Sequence, residues 1–238
     1  MDKMKYKYLA VDDTTMRFLA FIDWLVEKYG YIDIDKIHSP VYSQLKRDFN
    51  YYKTLYDYMK SGKIRIVCLE YVFKEWQIFE SLKDFIKENC YFSNFNSANY
   101  KRKSNQINEL IDSYFSEYVI RGERNKAPLN LSNMTESEKN NAIKYATLMA
   151  QATVEGCLLL TTYPKMVLGK VESSHEKCAS DAFIEVNIVN GYYNELPNGK
   201  IVTPRPVLYY KIIPILNNPE HIITPELSAG ITKGGMGK

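Results

Sequence analysis

Apolar positions along this 238-residue chain switch between two periods, and each switch predicts an element. Residues 6–11, YKYLAV, are a short run that reads as a buried strand. From Thr14 to Tyr29 the residues Phe18, Phe21, Ile22, Leu25 and Val26 recur at helical spacing, and Gly30 is the stop. A second helical pattern covers Val41 to Met59 and ends at SGK, 61–63. IRIVCL, 64–69, is another buried-strand run, and EYVFKEWQIFESLKDFIKEN, 70–89, predicts one long helix. Residues 91–106, YFSNFNSANYKRKSNQ, predict a polar, aromatic loop, followed by a helix over Gln106–Tyr118. Thr135 and Glu138 stand at capping-box spacing before a further helix that Gly156 closes. CLLLTT, 157–162, is the third buried strand.

Unbroken apolar strands separated by helices predict an α/β fold, with a mostly parallel central sheet flanked by helices. After Pro164 the texture changes. AFIEVNIVNGYY, GKIVTP and VLYYKIIPIL are strand-like, and NG at 190–191 and PNG at 197–199 are hairpin signals. The expected organisation is an α/β domain over 1–168 with a helical insertion around 84–130. A C-terminal antiparallel β extension over 169–228 and a flexible tail over 229–238 complete it. The tail, SAGITKGGMGK, lacks the glycine spacing and the strand–helix context of a phosphate-binding loop.

Composition narrows the class only a little. Apolar content of 45% and charged content of 25% are those of an ordinary globular chain. A net charge of +3 argues by itself for neither nucleic acid nor membrane. No run of 18 apolar residues occurs, so no transmembrane helix is expected. The basic N-terminus, MDKMKYKYLAVDD, has an apolar stretch too short for a signal peptide. Cys68, Cys90, Cys157 and Cys178 fit no disulfide or zinc spacing, which points to a reducing, cytoplasmic compartment. His175 and Cys178 form a lone H-x-x-C pair without the second pair that a structural zinc needs. The 20 tyrosines suit wet contact surfaces without deciding a function.

The chemistry is expected where strands end. In a parallel sheet the loops at the carboxyl ends converge on one crevice. Asp12 and Asp13 end the first strand, Glu75 lies early in the helix after the second, and Thr161, Thr162 and Tyr163 end the third. One reading of Asp12 and Asp13 is helix capping. The other is a cation site, because gathered carboxylates repel one another unless a hard ion such as Mg²⁺ or Mn²⁺ neutralises them. Such an ion polarises a phosphodiester and activates water.

These stretches resemble the PIN-domain nucleases over roughly residues 5–168. YLAVDDTT matches a strand ending in an aspartate, with Asp13 at the aspartate position. IRIVCLEYVFKEW matches the second strand and its helix, with Glu75 at the glutamate. ATLMAQATVEGCLLLTTYPKMV matches the last helix and strand, with Thr161 at the strand-end threonine. The resemblance implies a metal-dependent ribonuclease acting on single-stranded or structured RNA. Asp13, Glu75 and Thr161 would be its catalytic residues, and Asp12, Asp13 and Glu75 its Mg²⁺ or Mn²⁺ ligands. Two departures accompany it. The third acid of the pattern falls on Tyr145, or on Asn141, and the fourth on Tyr163. A catalytically degenerate binding or scaffold module, contacting a protein or RNA partner, is therefore the rival reading. A nuclease silenced by a protein inhibitor is a third, and a homodimer fits any of them.

Residues 42–65 carry six basic and two acidic residues among many tyrosines. Lys46, Arg47, Lys53 and Tyr52 are the nucleic-acid contact candidates, since basic groups beside stacking rings hold single strands. The plainer reading is an amphipathic helix with tyrosines packed and lysines outside.

Overall fold

Burial on both faces is what the run Leu9-Ala10-Val11 demands, and it is met by placing β1 (Lys7–Val11) at the centre of a sheet. The computed structural model describes residues 7–30, 42–76, 80–93, 97–116, 135–163, 179–195, 198–211, 214 and 231–233. β1 pairs in parallel with β2 (Ile64–Val67) on one side and with β4 (Leu158–Thr161) on the other. β3 (Tyr91–Ser93) extends the sheet beyond β2, and β7 (Pro206–Leu208) extends it beyond β4, both in parallel. The five parallel strands thus run in the order β7-β4-β1-β2-β3, and β8 (Ile231–Lys233) adds an antiparallel edge beside β3. A two-stranded antiparallel ribbon, β5 (Asn194–Glu195) with β6 (Ile201–Val202), stands apart from this sheet.

Helices cover the sheet because each parallel crossover needs one. α1 (Asp13–Tyr29) follows β1. α2 (Ser43–Arg47) and α3 (Phe49–Lys60) precede β2. α4 (Glu70–Trp76) and α5 (Glu80–Asn89) link β2 to β3. α6 (Ser97–Tyr114) and α7 (Glu136–Val154) precede β4, and α8 (Ala179–Val189) lies between β4 and β7. α1 packs against α3, α4 and α5, while α6 packs against α7 and α8. Gly30 ends α1 as expected, at φ 70°, with its N–H donating to the Val26 carbonyl at 2.8 Å.

Several expectations are corrected. The single helix over 70–89 is two helices, α4 and α5, with residues 77–79 outside the described set. The loop over 91–106 contains β3 and most of α6. Three residues are too few for a periodic signal, and the polar 97–106 stretch is helical because Leu110 and Tyr114 of the same helix pack into the core. AFIEVNIV, read as a strand for its β-branched residues, belongs to α8. Ala182, Phe183, Val186 and Asn187 are buried at helical spacing, and the parallel connection from β4 to β7 overrides strand propensity. NG at 190–191 then ends that helix instead of turning a hairpin, with Gly191 at φ 78°. PNG at 197–199 does fall between the antiparallel β5 and β6. VLYYKIIPIL contributes only its first residues to β7, and Tyr209–Lys211 is a 3₁₀ turn. Within the expected tail, Ile231–Lys233 is β8.

Candidate functional site

Strand order reverses between β1 and β4, which is where open α/β sheets open a crevice at their carboxyl ends. Asp12 sits at that point. Its N–H donates to the Leu160 carbonyl at 3.0 Å, which continues the β1–β4 ladder by one residue. Its side chain is fully buried and caps α1, with Oδ1 accepting from the Thr15 N–H at 2.8 Å. Oδ2 accepts from the Thr162 N–H at 2.5 Å, from Thr162 Oγ1 at 2.9 Å and from Thr161 Oγ1 at 3.1 Å. Burial pushes the Asp12 carboxyl above the usual carboxylate range, and it outweighs the backbone N–H groups of Thr162 and Thr15 that act in the other direction.

Thr161, one of the three catalytic residues the resemblance implies, is buried and partners Asp12. Its Oγ1 also accepts from the Tyr163 N–H at 3.0 Å. The two strand ends are therefore tied by one carboxylate and the Thr-Thr pair at the end of β4.

Asp13 occupies the first turn of α1 and faces a different set of groups. Tyr163 donates its hydroxyl to Oδ1 at 2.6 Å. Lys144, on α7, places Nζ 3.0 Å from Oδ2 and also donates to the Tyr163 hydroxyl at 2.6 Å. The three groups close a triangle, with the ammonium 4.6 Å from the centre of the Tyr163 ring. The Asp13 and Lys144 side chains are 15% and 19% exposed, so the ion pair is largely sheltered. Burial is the main reason the Tyr163 hydroxyl is held strongly protonated, and the Asp13 charge adds to it. Tyr145, at one of the expected acid positions, packs its ring 5.2 Å from that of Tyr163. Burial likewise raises its hydroxyl, with the charges of Asp12 and Asp13 as smaller causes. Asn141, the other such position, is exposed.

Lys144 was not singled out from sequence, yet a signal exists. Lys144, Leu148 and Gln151 stand at i, i+4 and i+7, and the latter two are buried. A lysine on the buried stripe of a helix needs a partner.

A divalent cation is a poor match for the described carboxylates as they stand. Asp12 already accepts four hydrogen bonds, and Asp13 already holds an ammonium and a phenol. A hard cation needs open oxygen lone pairs, and it would meet Lys144 as a like charge. Glu75 lies on α4, and its side chain is outside the described residues. Glu70, on the same helix, pairs with Lys74 at 2.6 Å. Among the described residues no group of three His, Cys, Asp or Glu side chains could hold a metal ion. His175 and Cys178 lie outside the described residues.

The basic stretch over α2 and α3 follows the plainer reading. Tyr52 is 1% exposed, with its ring stacked 5.2 Å from Tyr209 and edge-on to Phe18 at 4.8 Å, so bases cannot stack on it. Lys53 pairs with Asp57 at 2.5 Å, and Arg47 pairs with Asp48 at 2.9 Å. Asp48 also accepts from the Tyr209 hydroxyl at 2.6 Å, tying the turn after β7 to this helix pair. Lys46 is exposed on α2.

The chain matches no protein-family model, no curated protein and no solved structure. Among the described residues no helix is long and apolar enough to cross a membrane.

Proposed function

We propose that this chain is a catalytically degenerate PIN-like module that serves as a binding or scaffold protein. The observation that carries the reading is the Lys144 ammonium lying 3.0 Å from Asp13, where a metal-dependent nuclease needs an open carboxylate. A protein cation and a tyrosine hydroxyl take the lone pairs that a divalent ion and its water would use. The saturated carboxylate of Asp12 supports the same reading, because its hydrogen bonds close the sheet and leave no acceptor for chemistry. The PIN-like reading is supported by Asp12 and Asp13 following β1 and by Thr161 ending the neighbouring parallel strand β4.

A protein partner suits the surface better than RNA. Two of the basic groups expected to hold phosphates, Arg47 and Lys53, are spent on Asp48 and Asp57. The deciding experiment incubates the full chain with a single-stranded RNA oligonucleotide and Mn²⁺, beside Asp13→Asn. The expected result is no metal-dependent cleavage by either protein. Cleavage that requires Mn²⁺ and disappears in Asp13→Asn overturns the proposal in favour of an active nuclease.

A further inference from the structure

Away from the strand ends, α1 and α5 frame a cleft of about 590 Å³, within the size range of ligand sites. Its α1 wall is aromatic. Phe21 stacks face to face on Tyr42, with ring centres 3.9 Å apart, and on Trp24 at 5.6 Å. Trp24 remains 43% exposed. Leu82 and Phe85 form the α5 wall. Among the described residues, four carboxylates line the same space: Asp23, Glu27, Asp84 and Glu88.

Those carboxylates divide into two sets. Asp23 is buried and already serves the fold, accepting from the Tyr56 hydroxyl and from Lys60, both at 2.7 Å. Glu27, Asp84 and Glu88 are exposed, and among the described residues none of the three has an ion-pair partner. Arg17 is the basic residue among the described lining groups. The local excess of negative charge runs against a chain whose net charge is +3, so it is a property of this cleft and not of the whole molecule. The aromatic wall already hosts a cation: the Lys28 ammonium lies 4.8 Å from the centre of the Trp24 ring.

We infer that the α1–α5 cleft docks an arginine-bearing segment of a partner polypeptide, which rests on the binding-module reading and names its partner class. Charge complementarity selects a cation, and the ring wall selects a planar one. A guanidinium stacks on Trp24 or Tyr42 while its edge forms paired hydrogen bonds to a rim carboxylate. A lysine ammonium gains the charge attraction but not the stacking. Buried aromatic and arginine anchors are also what carry most of the binding energy in protein interfaces.

The test is fluorescence anisotropy of the full chain with a labelled 12-residue peptide alternating Arg and Ser. Matched Lys–Ser and Glu–Ser peptides and a single-stranded oligouridine of equal length are the comparison probes. The Arg peptide is expected to bind at least fivefold tighter than the Lys peptide, with no binding of the Glu peptide. Affinity falls at least tenfold in the triple variant Glu27→Gln, Asp84→Asn, Glu88→Gln and again in Trp24→Ala. Lys28→Gln, which removes the chain's own cation from the Trp24 ring, tightens binding. Circular dichroism checks that each variant is folded, and all sites but part of Trp24 are solvent-facing. Equal binding by wild type and the triple variant, no preference for Arg over Lys, or binding of oligouridine in place of peptide overturns the assignment. None of these results touches the nuclease assay, so the docking site and the non-catalytic reading fail separately.

Discussion

Removing the charge from Asp13, from Lys144, or from both tests whether the ion pair at the strand ends behaves as a sheltered interaction. At 3.0 Å and an effective dielectric constant of about 20, the gross attraction is about 5.5 kcal/mol. Desolvation of two charges that are 15% and 19% exposed offsets much of this, so the net pair is worth less than its attraction. Asp13→Asn keeps the shape and an acceptor for the Tyr163 hydroxyl. Lys144→Met keeps the stem and removes the ammonium. Each single change leaves one charge facing a neutral partner in a half-dry site, and each is expected to cost about 2–3 kcal/mol. The double variant is expected to lose less than the sum, with a coupling of about 2 kcal/mol. Urea denaturation of the four proteins at pH 7 supplies the cycle, repeated in 1 M NaCl. Salt shortens the screening length to about 3 Å but reaches a sheltered pair poorly, so at least half of the coupling persists. A coupling below about 0.5 kcal/mol, or one abolished by salt, means the pair acts as a surface salt bridge and does not close the site.

Further outcomes follow from the same geometry. Asp12→Ala strips the α1 cap and three strand-end hydrogen bonds, and is expected to cost about 3–4 kcal/mol in urea denaturation. The cost of Asp12→Asn also varies with pH. Burial raises the folded carboxyl above its unfolded value of about 3.9, so its contribution is fully present below that value and declines as pH rises through the folded one. Denaturation at about pH 3.5 and pH 7 is therefore expected to show the larger cost at the lower pH, and the reverse order refutes the burial argument. Asn187→Leu is expected to cost about 2–4 kcal/mol, since it orphans bonds to Tyr114, Thr153 and the Pro204 carbonyl that join α6, α7 and α8 to the segment entering β7. Lys53→Ala breaks a pair whose side chains are 37% and 51% exposed, and melts within about 0.5 kcal/mol of wild type.

Much of the parallel core was legible because its strands advertise themselves. A strand buried on both faces must be apolar throughout, and LAV, IRIV and LLLT are nearly so. The outer strands of the parallel set were less so. β3 and β7 are three residues long, and their neighbours in the sheet define them more than their own composition does. α8 misled for a complementary reason. Phe183, Ile184, Val186, Ile188 and Val189 favour a strand locally, but a chain leaving β4 and returning in parallel as β7 has to cross over the sheet.

The site shows the limit of reading acids along a chain. Asp12 and Thr161 meet at adjacent strand ends, with Asp13 next along the chain, yet what each side chain touches depends on groups that sequence order does not bring near. The Thr161 hydroxyl donates to Asp12, not to Asp13. Lys144 is 131 residues from Asp13 along the chain and meets it only because α7 lies over the sheet beside the switch point. Tyr163 stands where the resemblance leads us to expect an acid, and its hydroxyl bridges Asp13 and Lys144. A carboxylate at 163 in place of the tyrosine would add a second negative charge beside Asp13. A tyrosine hydroxyl donates to Asp13 and accepts from Lys144, so the chain neutralises its own site. The lysine and the tyrosine thus form one arrangement, and placing an acid at 163 alone would leave it facing an ammonium already committed to Asp13.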